Sequence, residues 1–145
     1  MKHHLVLRVV SKMLIPFIMM FALYVQFHGD FGPGGGFQAG VIFAAAFILY
    51  ALVYGVDNAR RVIPEKILRI LVPFGLIIYA LTGFAGIYFG GKFLDYDVLA
   101  EDPQHGQHLG ILVIEFGVGM TVAAVIITIF FAYASRTREI DHEDW

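Results

Sequence analysis

The sequence predicts an all-α membrane protein of four transmembrane helices with both termini on the cytoplasmic side. Three observations carry this reading. The 145 residues are 59% hydrophobic, with a mean hydropathy of +0.74, far above an ordinary soluble domain. The apolar residues gather in four runs, each close to the ~20 residues that cross a hydrocarbon core. The Lys and Arg residues between those runs fall almost entirely on one side of the layer they would form.

The first run, Leu5 to Phe27, is too long for a signal-peptide core and has no small-residue cleavage site after it, so it is expected to remain as a span. The second is Gly36 to Val56, the third Ile67 to Phe89 and the fourth Leu109 to Ala134. Apolar residues occupy all faces of each, without the two-residue alternation of a membrane barrel strand, which favours helices. One four-helix domain over residues 1–145 follows. Pro16 and Pro73 each remove a backbone hydrogen bond and should bend the first and third spans. The stretches Lys12 to Phe17 and Arg69 to Phe74 resemble each other and open these two spans, as an internal duplication or any two helices entering from the inside would.

Lys2, Arg8 and Lys12 precede or open the first span. Arg60, Arg61 and Lys66 lie between the second and third, Arg69 opens the third, and Arg136 and Arg138 follow the fourth. The opposite side receives His28, Asp30, Asp95, Asp97, Glu101 and Asp102, with Lys92 the one exception. The chain is therefore expected N-in and C-in. There is no cysteine, which excludes disulfides and thiolate metal sites.

The connection between the first two spans reads HGDFGPGGGFQAG. It is no phosphate cradle: no Lys-Ser/Thr closes it as in a Walker loop, and no strand precedes it as in a dinucleotide fold. Gly29, Gly32, Gly34, Gly35 and Gly36 allow a tight reversal at the membrane surface, and Pro33 suits the entry to the next helix. Gly36, Gly40 and Ala44 then recur every four residues, the small-residue face by which helices approach closely in lipid. Thr82, Gly86 and Gly90 form a similar line on the third span, and Gly119 with Ala123 a shorter one on the fourth. Such faces serve packing among the four helices or docking into a larger complex; the small chain with few polar groups favours docking.

The same segment resembles the MnhB-type membrane subunits of the Mrp-type multisubunit cation/proton antiporters. His28, Gly29, Pro33, Gly34, Gly35, Gly36, Phe37, Gln38 and Gly40 stand at the places of that family's motif, with Ala39 where glycine is common. The resemblance implies a subunit of a hetero-oligomer in the bacterial cytoplasmic membrane that exchanges Na+ for H+, with no cofactor and no main pumping role. Related subunits occur in membrane-bound hydrogenases, so a purely structural scaffold in a respiratory-type complex is the alternative. The expected partners are other antiporter subunits and the bilayer, with Na+ and H+ as the transported ions. Neither nucleotide nor nucleic acid is expected.

Glu115 is the one acidic residue inside a predicted span. Burial disfavours a charged carboxylate, which suits proton handling. Alternatively Glu115 locks the structure by accepting hydrogen bonds from the free N–H groups around Gly35 to Phe37, at the positive end of the second helix. His28, Asp30 and His108 are further candidates for ion or proton handling, with interfacial hydrogen bonding as the plainer role. A zinc site from these residues and His105 is not enforced by their spacing. His108 and Glu115, seven apart, share a face if the last helix starts early.

Overall fold

The computed structural model describes residues 5–29 and 34–143, with side chains described up to Ser135. Among them are five α-helices: α1 Leu5–Phe27, α2 Gly36–Tyr54, α3 Val56–Val62, α4 Glu65–Tyr88 and α5 Pro103–Glu143, with one 3-10 turn at Asp97–Leu99. Among the described residues, α1, α2, α4 and the Pro103–Ser135 part of α5 are long and apolar enough to cross a membrane. The helix α3 is an addition to the sequence expectation. It arises because α2 stops at Gly55, whose φ of 98° breaks the helix, two residues short of the expected end. The acidic Asp57 then sits in the first turn of α3, and Arg60 and Arg61 in its last, as the helix dipole favours.

Both boundaries of the last span move outward: α5 begins at Pro103 rather than Leu109 and its helix runs on to Glu143. Asp102 starts it: its carboxylate accepts from the Gln104 N–H at 3.2 Å and its carbonyl from the Gly106 N–H at 3.0 Å. An Asp followed by Pro at the first helical position is a strong start signal, and hydropathy is blind to it.

The spans pack as a row in the order α1, α2, α5, α4. The central helix α2 has 44% of its apolar window buried, against 17% for α1 and 22% for α4. One membrane face of the row, the turn face, carries residues 28–29, residues 34–35 and the 89–102 segment. The other, the basic face, carries α3. The apolar core lies toward the basic face, where Ala44, Phe47 and Ala51 of α2 meet Ala59, Leu68, Ala124, Ile127 and Phe131. Arg60 ties this end together: it donates to the Phe131 carbonyl at 3.4 Å and to Ser135 Oγ, pairs with Glu65 at 3.3 Å, and stacks 5.4 Å from the Phe131 ring.

In lipid, apolar area does not drive helices together; close packing and hydrogen bonds do. Glycines supply the close packing. A Cβ on Gly75 would collide with Thr121 Oγ1 and the Gly117 carbonyl, and one on Gly117 would lie 2.7 Å from the Gly75 carbonyl. Thr121 Oγ1 also donates to the Val72 carbonyl at 3.2 Å, so α4 and α5 cross backbone to backbone beside Pro73.

Gly117→Val should therefore destabilise the protein by about 1–3 kcal/mol, the usual cost of overpacking. Leu76→Ala, on the exposed side of α4, should stay within about 0.5 kcal/mol. Unfolding by SDS titration in mixed micelles measures both, and equal effects would remove the crossing from this account.

Candidate functional site

Two of the glycines in the HGDFGPGGGFQAG segment face Glu115. A Cβ on Gly29 would sit 2.5 Å from Glu115 Oε2 and 2.7 Å from Oε1, and one on Gly35 would sit 2.9 Å from Oε1. The carboxylate thus lies against the bare Cα atoms of the turn. Gly36 meets the backbone of the same residue, since its Cβ would overlap the Glu115 carbonyl. One turn further along, a Cβ on Gly40 would lie 2.6 Å from the Gly119 carbonyl and 2.9 Å from Val122 Cβ. Ala44 is fully buried beyond it. The small-residue stripe of α2 is accordingly used inside the chain, against α5, and is not a free docking face.

Gly35 holds the turn geometry. Its φ of 119° with ψ of 173° is a conformation open to glycine alone. Its N–H donates to the Val25 carbonyl at 3.1 Å, so this amide is engaged within the α1–α2 hairpin, whereas the sequence suggests it as a donor to Glu115. Gly34 also folds back on α1, where a Cβ would lie 2.8 Å from the Val25 carbonyl. Phe37 turns the other way and is 60% exposed. Asp30 and Pro33 lie outside the described residues.

The early start of α5 alters the depth of Glu115. It is 12 residues past Pro103, about 18 Å along the helix, yet level with the turn that joins α1 to α2. The first three turns of α5 therefore rise past that turn. They receive the 92–99 segment: Tyr96 packs on Gly110 and its carbonyl on Gly106, while Gln107 Nε2 donates to Asp97 Oδ1 at 2.7 Å. Burial, with the neighbouring Tyr79 adding to it, raises the Tyr96 phenol above its ordinary value. The Thr82–Gly86–Gly90 line also differs in use from the sequence expectation. Gly86 receives the Lys92 and Asp95 carbonyls, and the adjacent Gly83 receives the Phe93 ring; both accept the returning loop, not another helix.

His108 is exposed on the continuous α5, two turns above Glu115 and on the same face by spacing. His28 stacks on Tyr24 with ring centroids 5.0 Å apart. His105 pairs with Asp102 at 3.2 Å. Among the described residues, no three His, Asp or Glu side chains converge as a metal site would require. One polar group was missed by the sequence reading: Gln26 of α1 is buried, and its Oε1 would lie 2.7 Å from a Cβ on Gly119. A polar side chain one residue before the end of an apolar run looks interfacial in sequence; its burial depends on the Gly36–Gly119 contact.

Residues 6–128 match the family model described as "Domain related to MnhB subunit of Na+/H+ antiporter". A protein of Staphylococcus haemolyticus named "Putative antiporter subunit mnhB2" is 36% identical over 134 residues, 90% of this chain and 94% of the relative. One of the same name from Staphylococcus aureus strain Newman is 34% identical over the same shares.

Two glycines make opposite predictions. The atom opposing Gly29 is the end of a flexible side chain, so Gly29→Ala should leave the protein folded with the Glu115 carboxylate displaced. The atom opposing Gly36 is backbone, so Gly36→Ala should force α2 from α5 and reduce folded protein several-fold. Membrane abundance and detergent-resistant folding of the two variants check this; equal losses would contradict it.

Proposed function

The chain belongs to the MnhB family, and on that premise we propose that it is an integral-membrane subunit of a multisubunit Na+/H+ antiporter. It sits as a multi-pass protein in the bacterial cell membrane, with other antiporter subunits as its partners. Its contribution is secondary transport without covalent chemistry of its own. The purely structural subunit of a hydrogenase-type complex has no support from these relatives.

Within that complex, Glu115 fastens the α1–α2 turn to α5. The observation that supports this is the placement of both carboxylate oxygens on the Cα atoms of Gly29 and Gly35. An acid at the start of α2 is favoured by the helix dipole, and glycine is required because any side chain would displace it. A second reading, transfer of a proton or Na+ through Glu115, is favoured by the continuous helix that sets His108 two turns above it on one face. Glu115→Gln separates the two. A fastening role predicts that the variant assembles less complex or behaves like wild type, with transport per assembled complex unchanged. Normal complex with transport reduced tenfold or more would instead assign Glu115 to the ion path. Antiport in everted vesicles, normalised to complex abundance, is the measurement.

Sidedness follows from the charges. Arg60, Arg61, Lys66 and Arg69 gather at the basic face, which favours the cytoplasm for that face. The absence of native cysteine makes this directly testable. A membrane-impermeant maleimide applied to intact cells should label Lys92→Cys and spare Asn58→Cys until the cells are opened. The reverse pattern would invert the topology.

A further inference from the structure

The row of helices is not closed, because α1 and α4 stand at its two ends. Between them, over α2 and α5, runs an apolar cleft of about 220 Å³. Ala22 and Leu23 line it from α1, Phe43 from α2, Met120 and Ala123 from α5 and Leu71 from α4. One buried amide interrupts these apolar walls. Gln26 is 7% exposed, lines the cleft, and its Nε2 has no hydrogen-bond partner among the described residues. A donor held this way in an apolar setting is destabilising unless an acceptor meets it. The occupant is thus an apolar body with one acceptor at the end where Gln26 stands.

The size and the depth say which. A volume of about 220 Å³ between walls that are apolar apart from Gln26 matches one acyl chain lying along the helices, and is small beside a helix 10–12 Å across. The 19 residues of α2 span about 28 Å, close to the ~30 Å hydrocarbon thickness. Gly36 therefore marks its boundary on the turn face. Gln26 is level with Gly36, because both meet Gly119. It is also the last residue but one of α1. That boundary is where the ester carbonyls of a glycerophospholipid lie, with the chains running inward along the cleft toward Leu71. We propose that the cleft between α1 and α4 holds one acyl chain of a glycerophospholipid, whose ester carbonyl accepts a hydrogen bond from Gln26 Nε2. The bound lipid completes the packing of a row that its own helices leave open.

The test uses the assembled complex reconstituted in nanodiscs with a phosphatidylglycerol that carries a diazirine midway along its acyl chain. The lipid is supplied as the diester or as the diether, which lacks the carbonyl. Photo-cross-links are mapped by peptide mass spectrometry. The diester should label Phe43 and Met120 in the cleft, and the diether about tenfold less, the equivalent of one hydrogen bond. Gln26→Leu should lower diester labelling of the cleft to the diether level and leave labelling of the exposed Phe17 and Phe74 unchanged. The lipid comparison needs no substitution, so it stands even if the variant folds poorly. Equal labelling of the cleft by both lipids in the unaltered protein would overturn the proposal. So would labelling confined to Phe17 and Phe74, or cleft residues cross-linked to another polypeptide. None of these outcomes depends on transport, so they test the lipid site independently of Glu115.

Discussion

The contact of α2 with α5 at Gly36 and Gly119 governs the arrangement of everything on the turn face. Two helix backbones meet there with no side chain between them: a Cβ on Gly36 would overlap the Glu115 carbonyl, and one on Gly119 would lie 3.0 Å from the Gly36 carbonyl. Lipid supplies no hydrophobic drive to hold helices together, so dispersion between closely opposed backbones must do it. The contact also sets the register. With Gly36 level with residues 115 to 119, the glycine turn falls on the Glu115 carboxylate and Gln26 falls on Gly119. Moving α2 by one residue would rotate Gly36, Gly40 and Ala44 away from α5 and put bulky neighbours in their place.

The same register explains why the two hairpins are staggered. The α1–α2 hairpin ends where α5 has already run three turns, and the free upper part of α5 needs its own cover. The 92–99 segment provides it by packing Tyr96 on Gly106 and Gly110, while α4 accepts Phe93 at Gly83. At the basic face the roles reverse. There α3 closes the α2–α4 connection, and one guanidinium engages two elements, α5 through Phe131 and Ser135 and α4 through Glu65. The turn face is thus fixed by small residues that accept backbone and rings, and the basic face by the polar contacts of one arginine.

Much of this was legible in the sequence. Four spans follow from apolar run length alone, and the α2 stripe follows from Gly36, Gly40 and Ala44 at four-residue spacing. What the stripe faces was not legible. Spacing reveals that a face is smooth, while its partner depends on the stagger of the hairpins, a property of three-dimensional packing. Gly75 belongs to no four-residue series and Gly117 only to a pair with Thr121, and their value appears only where α4 crosses α5. The start of α5 was readable but hidden. Hydropathy puts the boundary at Leu109 because Gln104, His105, Gln107 and His108 are polar, yet Asp102 and Pro103 form a helix start that polarity does not cancel. Gln26 lacked any local signal, since its burial comes from Gly119, on a helix far along the chain.

Glu115 and Gln26 show how polar groups are tolerated in such a chain. They lie on either side of the Gly36–Gly119 contact, one turn apart along α5, and their surroundings differ in kind. Glu115 meets the turn, where backbone dipoles at the start of α2 favour an anion. Gln26 meets an apolar cleft and the Cα of Gly119, where none of the described residues offers its amide an acceptor. A polar side chain retained at such a cost implies a return elsewhere. Leucine at position 26 would fill the same space without an orphaned donor, so stability of the isolated chain would favour it. The proposed lipid ester carbonyl gives the glutamine the acceptor that the described residues do not. Its neighbour across the glycine contact lies against the chain's own turn.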